Sequence, residues 1–121
     1  MAVLKSIDQQ AKDNPYFRHV LATGEHVQIV VMSIPPGGEI GEEVHPDTDQ
    51  VLYLVAGSGR VVLDGEAADF REGDLVLVPA GTRHNFDSAG PEGMKIVTAY
   101  SPPHHPDGTI HETKAEADAA H

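Results

Sequence analysis

Four polar residues stand where their types and spacing could do chemistry together. They are Glu43 and His45 in IGEEVH, Gln50 at the head of QVLYLVA, and His84 in RHNF. Along a strand, side chains alternate faces, and residues two apart share a face about 7 Å apart. Glu43 and His45 therefore point the same way. Gln50 shares a face with Leu52, Leu54 and Ala56, and His84 shares one with Phe86. If the apolar members face inward, the polar ones do too, and a buried polar group without a partner is costly. The four then need one another, water or a cation. Two imidazole nitrogens and one carboxylate oxygen form the two-histidine, one-carboxylate set of non-haem iron centres, which leaves positions open for substrate. The Gln50 amide oxygen would be a weak fourth ligand. One divalent ion is expected, and zinc, iron, manganese, nickel and copper all suit these donors. Without a metal, Glu43 and His84 could still work as an acid–base pair, which makes them the candidate catalytic residues.

The elements that must position these residues are short. Apolar or alternating runs recur: YFRHVLAT, HVQIVVMSI, QVLYLVA, RVVLD, DLVLVPA, HNF and MKIVTAY. Their Val, Ile, Leu and Tyr suit a pleated, half-buried surface. Turn chemistry separates them: ATGE at 22–25, PPGG at 35–38, HPDTD at 45–49, GSG at 57–59, REGD at 71–74, AGTR at 80–83 and SAGPEG at 88–93. Asp64-Gly65 reads as a two-residue hairpin turn. Short strands at roughly ten-residue spacing predict an antiparallel sandwich or barrel. Only the ends look helical: Ser6 to Lys12, stopped by Asn14-Pro15, and HETKAEADAAH at 111–121. The stretch SPPHHPDGTIH, 101–111, holds too much proline for a regular strand and reads as a loop over the barrel or a loose tail.

The bulk composition excludes several classes of function. With 19 acids against 8 Lys and Arg, the formal charge is −11, which argues against nucleic acid or an anionic membrane surface as the main partner. The chain has no cysteine, so no disulfide, thiolate nucleophile or Cys-type zinc site is available. It shows no apolar signal core and no run approaching about 18 apolar residues, so a soluble, cytoplasmic protein is expected. The remaining polar residues have quieter expectations. Glu42, Asp47 and Asp49 should form a solvated rim. Tyr53 should pack against another layer, and Asn85 should be a hydrogen-bonded structural residue. Tyr100 should reach the barrel mouth. Arg60 and Arg83 are the cations nearest the candidate site in sequence, and a phosphate or carboxylate substrate would need such groups. His104, His105 and His111 lie in the Pro-rich ending, which is expected to cover the barrel or to contact a partner subunit.

The stretch GGEIGEEVHPDTDQVLYLVAG, 37–57, resembles the first motif of the cupin superfamily: Gly, five residues, His-x-His, three or four residues, Glu, six residues, Gly. The positions fall on Gly37, Glu43, His45, Gln50 and Gly57. GDLVLVPAGTRHNFDS, 73–88, resembles the second: Gly, five residues, Pro-x-Gly, two residues, His, three residues, Asn. It falls on Gly73, Pro79, Gly81, His84 and Ser88. Glu43 replaces the first motif histidine and Gln50 the motif glutamate, so one carboxylate is kept but moved to another corner of the site. The resemblance implies an all-β fold, a double-stranded β-helix or jelly-roll barrel of the RmlC-like type, usually dimeric. It implies one domain over 1–121, with the barrel at roughly 16–101 and a loop and short helix over 102–121. EIGEEVHPDTDQ and the YSPPHHPDGTIH ending also resemble a bacterial group labelled mannose-6-phosphate-isomerase-like, although fold does not fix function. The expected protein is a homodimeric metal-binding cupin that takes a small oxygen-rich molecule as a sugar or sugar-phosphate isomerase or a dioxygenase. A non-catalytic ligand-binding or sensor cupin is the alternative.

Overall fold

The structure is a computed structural model that describes residues 2–88 and 90–120. Ala89, in the SAGPEG turn, and His121, at the end of the C-terminal helical stretch, lie outside the described residues. The elements run α1 (Ile7–Asp13), β1 (Arg18–Thr23), β2 (Gln28–Ile34), β3 (Asp49–Leu63), β4 (Glu66–Arg71), β5 (Leu75–Val78), β6 (His84–Asp87), β7 (Met94–Ser101), β8 (Ile110–His111) and α2 (Lys114–Ala119). The strands are antiparallel in the order β4-β3-β7-β2-β1-β8, and β5 and β6 also pair with β3. Among the described residues no helix is long and apolar enough to cross a membrane.

Alternation along the strands builds the interior in rows. Gln28 pairs with Tyr100, Tyr100 with Gln50, and Gln50 with Val78. Two residues further on, Val30, Thr98, Leu52 and Val76 form the next row, and Met32, Ile96 and Leu54 the third, joined by Arg18. Leu52, Leu54, Val30, Met32, Ile96 and Phe86 are fully or almost fully buried. Each such side chain contributes about 2 kcal/mol through its removal from water. On the outer face, Ala11 of α1 packs on Val31 and Val55, with Ile7, Leu21 and Val97 around them.

Three sequence expectations change here. The GSG stretch at 57–59 is not a turn: β3 runs straight through it for 15 residues. A Cβ at Gly57 would land on the carbonyl oxygen of Gly93, and one at Gly59 on that of Asp87, so these glycines permit close backbone approach. The first half of β3 pairs with β7 and β5, and the second half with β4 and β6. Val55 alternates onto the α1 side, and a bulge between Leu54 and Ala56 places Ala56 opposite Lys95, so Ala56 leaves the face of Gln50. Finally, Ile110 and His111 do form a short strand against β1, despite the prolines before them. The Asp64-Gly65 turn is present, with positive φ at both residues closing the β3–β4 hairpin.

The ending is tied down over the barrel. Gln28 is fully buried; its Oε1 accepts from the backbone N–H groups of His104 and His105, and its Nε2 donates to the His105 carbonyl. The Val20 N–H donates to Thr109 O. In α2, Thr113 caps the first turn by accepting from the Glu116 N–H, and Ala117 reaches the main core.

Candidate metal centre

Glu43 and His84 face each other across an isolated antiparallel bridge, each N–H donating to the other's carbonyl at 2.9 Å. His45 lies two residues beyond Glu43, and its carbonyl accepts from the Gly81 N–H of the second motif. Backbone pairing therefore brings the two sequence motifs together. One ligand atom from each of Glu43, His45 and His84 lies within 4.8 Å of the others. His45 and His84 are buried, and Glu43 is half-buried.

The surroundings set each group's state. His84 Nδ1 lies 2.9 Å from the Thr82 carbonyl. A carbonyl can only accept, so Nδ1 carries the proton and the Nε2 lone pair is left for the cluster. Burial would push the Glu43 carboxyl up, but the contact and charge of His45 and the charges of Arg18 and His84 outweigh it. The carboxyl is held below its ordinary value and is an anion at neutral pH. Its Oε2 approaches His45 Nε2 at 2.9 Å. That approach lacks hydrogen-bond alignment, so the buried Nε2 has no hydrogen-bond partner among the described residues.

Gln50 is fixed by its neighbour. The Thr98 hydroxyl donates its one proton to Val51 O at 2.8 Å, so toward Gln50 it can only accept, and Gln50 Nε2 donates to it at 3.1 Å. This leaves Gln50 Oε1 buried and without a hydrogen-bond partner. Buried polar atoms are nearly always satisfied. The bare Gln50 oxygen, two buried imidazoles and an anionic carboxylate are a donor set that fits a divalent cation.

A wall of rings surrounds the cluster. The His45 ring centroid lies 4.4 Å from that of His104, 5.2 Å from His84 and 6.0 Å from Tyr100. Tyr100 stacks on His104 at 5.6 Å and meets His105 edge-on at 5.1 Å. Burial pushes the Tyr100 phenol up to about 12, so it stays a proton donor. Tyr100 is buried beside the cluster, and the Pro-rich ending supplies part of the wall. Asn85 is structural as expected, accepting from Gly41 N–H. Glu42, Asp47 and Asp49 are exposed. Arg60 and Arg83 pair with Asp87 and Glu42 on the surface. Tyr53 does not pack between layers: it is 40% exposed. Two interior residues escaped the sequence reading. Arg18 and Gln28 look like ordinary polar positions of half-buried strands, and only their contacts with residues 104–111 reveal their place.

Comparison with known proteins gives the same picture. Residues 30–100 match the Cupin domain family. The chain is 41% identical over 122 residues to the Bacillus subtilis protein YrkC, covering 95% of this chain and 65% of YrkC, so it spans just under two thirds of that relative's length. A segment of 53 residues is 47% identical to acireductone dioxygenase from Acidiphilium cryptum, covering 40% of this chain and 29% of that enzyme. The crystal structure of BH2720 from Bacillus halodurans superposes with a TM-score of 0.96 at 38% identity, covering 98% of this chain and 95% of that one. The two motifs, the barrel rows that place them and the matched residues agree: the chain belongs to the cupin family.

Proposed function

We propose that Glu43, His45 and His84 hold one divalent metal ion, with Gln50 Oε1 as a weak oxygen ligand, and that the protein acts on a small oxygen-rich molecule in the barrel. The observation that carries this reading is the convergence of three ligand atoms of Glu43, His45 and His84 within 4.8 Å of one another. A bound divalent ion would supply Lewis acidity toward a carbonyl or enediolate oxygen, or oxygen chemistry if it is iron. The chain's own groups do the rest. His84 presents Nε2 because Thr82 holds its Nδ1 proton. Glu43 brings the negative charge, and the Tyr100 hydroxyl keeps a proton to donate. The reaction classes this supports are sugar or sugar-phosphate isomerisation and dioxygenation. The partial likeness to acireductone dioxygenase favours the second.

The test is elemental analysis of tag-free protein purified without chelator, wild type beside a His45→Ala/His84→Ala variant. About one metal per chain in the wild type and none in the folded variant is the expected result. No metal, and no thermal stabilisation on adding metals back, removes the metalloprotein reading and leaves a hydrogen-bonding ligand or sensor cupin. The metal's identity separates oxygen chemistry from Lewis-acid chemistry.

The proposal also includes a cytoplasmic homodimer. Tyr53 pairs with Leu75 and Val51 with Leu77 in register, and Leu75 and Leu77 are 65% and 60% exposed. An apolar outer face of this kind suits self-association about a two-fold axis. Sedimentation equilibrium should give a dimer, and Leu75→Lys/Leu77→Lys a monomer.

A further inference from the structure

We propose that the cavity between β1, β8 and the Pro-rich ending binds a small oxyanion group, a carboxylate or a phosphate, held by the Arg18 guanidinium with His105 and His111 beside it. The cavity has a volume of about 370 Å³ and is lined by Arg18, His104, His105, Thr109, His111 and Ala117 among others. That is room for a small organic acid or phosphate ester. None of Glu43, His45 and His84 lines this cavity, although it adjoins their cluster through His104, whose ring meets His45.

The argument begins with Arg18, which is 2% exposed. A buried arginine stays charged and is costly to strip of water unless a counter-charge meets it. Among the described residues no carboxylate makes an ion-pair contact with it; the Glu43 anion acts on it only through its field, and the Tyr100 hydroxyl takes one of its hydrogen bonds. Its Nε is buried with no hydrogen-bond partner. Its Nη1 contacts His111 Nδ1 at 3.1 Å, and since a guanidinium only donates, Nδ1 accepts and the His111 proton sits on Nε2. His105 contributes a second orphaned atom, its buried Nε2. Burial first, then the charge of Arg18 and the influence of His104, push the His105 imidazole down to about 3, so it stays neutral and adds no competing cation. A planar oxyanion is the group that matches an arginine fork in such surroundings. The cations picked out from the sequence, Arg60 and Arg83, are already paired at the surface.

The test is isothermal titration of the full chain with inorganic phosphate and, separately, with succinate. It includes the variants Arg18→Gln, His111→Gln and, as a control at the metal centre, His84→Gln. Saturable binding of one or both probes at about one per chain is expected, with the preferred probe naming phosphate or carboxylate as the ligand class. Arg18→Gln should abolish it, and His111→Gln should weaken it by about threefold to tenfold. His84→Gln should leave it within about twofold. No saturable binding of either probe below on the order of 10 mM overturns the proposal, whatever the variants do. Binding that survives in folded Arg18→Gln also overturns it. So does binding lost in folded His84→Gln, because the anion would then sit on a metal. Should Arg18→Gln not fold, wild-type binding unchanged in His111→Gln overturns it equally. Anion binding without metal, or metal without anion binding, shows which of the two readings has failed.

Discussion

Gln28 and Gln50 lie in one row of the barrel, each paired with Tyr100, and both are buried. Gln28 uses both ends of its amide. It donates to Thr23 Oγ1 and His105 O and accepts from two backbone N–H groups. Gln50 makes one hydrogen bond, to Thr98, and leaves its oxygen bare. The same side chain at the same depth is thus a clamp on one side and an open valence on the other. A satisfied buried amide specifies structure, whereas an unsatisfied one points to something the chain expects to hold.

The comparison can be broken most directly at the clamp. Gln28→Leu strands the N–H groups of His104 and His105 and the His105 carbonyl, and should cost about 3 kcal/mol in urea unfolding. A loss below about 0.5 kcal/mol would mean that water replaces the clamp freely. Gln50→Glu puts a second carboxylate in the cluster. It should destabilise metal-stripped protein by about 2 kcal/mol, and added metal should recover that loss. Gln50→Leu removes one hydrogen bond and one orphan together, so stability should move by less than about 1 kcal/mol while metal affinity falls about tenfold. Equal stability losses at Gln28 and Gln50 would dissolve the distinction. Direct metal titration reads the affinities.

The smallest effect at neutral pH concerns His105, whose carbonyl and N–H the clamp holds. Its imidazole is pushed from an ordinary 6.5 down to about 3 in the folded state. Between those values the unfolded chain binds the extra proton, so stability rises with pH across this window and is lost as pH falls from about 6.5 toward 3. The lowered carboxyl of Glu43 acts with the same sign, but only from its ordinary 4.5 downward. His105→Gln should leave thermal stability at pH 7.5 nearly unchanged and should flatten the acid limb above pH 4.5.

Much of this was legible because it is local. Alternation alone put Gln50 with Leu52 and Leu54, and His84 with Phe86, on buried faces. The motif spacing located Glu43, His45 and His84. What escaped depends on distant chain. Gln28 acquires its role from His105, 77 residues on, and Arg18 from His111, 93 residues on. The strand β4 was missed because EAADFR buries only Phe70, so its apolar period is too weak to register. Glycines at 57 and 59 look like punctuation until the carbonyls opposite them are seen.

The uninterrupted course of β3 has a consequence for how the molecule comes apart. It pairs with four other strands, two along each half. The two halves are one continuous strand, and Gly57 and Gly59 lie against the carbonyls of Gly93 and Asp87 where they join, so distorting either half strains the other. Amides of β7 and of β6, though they flank different stretches of β3, should therefore exchange with solvent through one shared global opening rather than through separate local ones. The floor of the site would then persist until the whole barrel is lost.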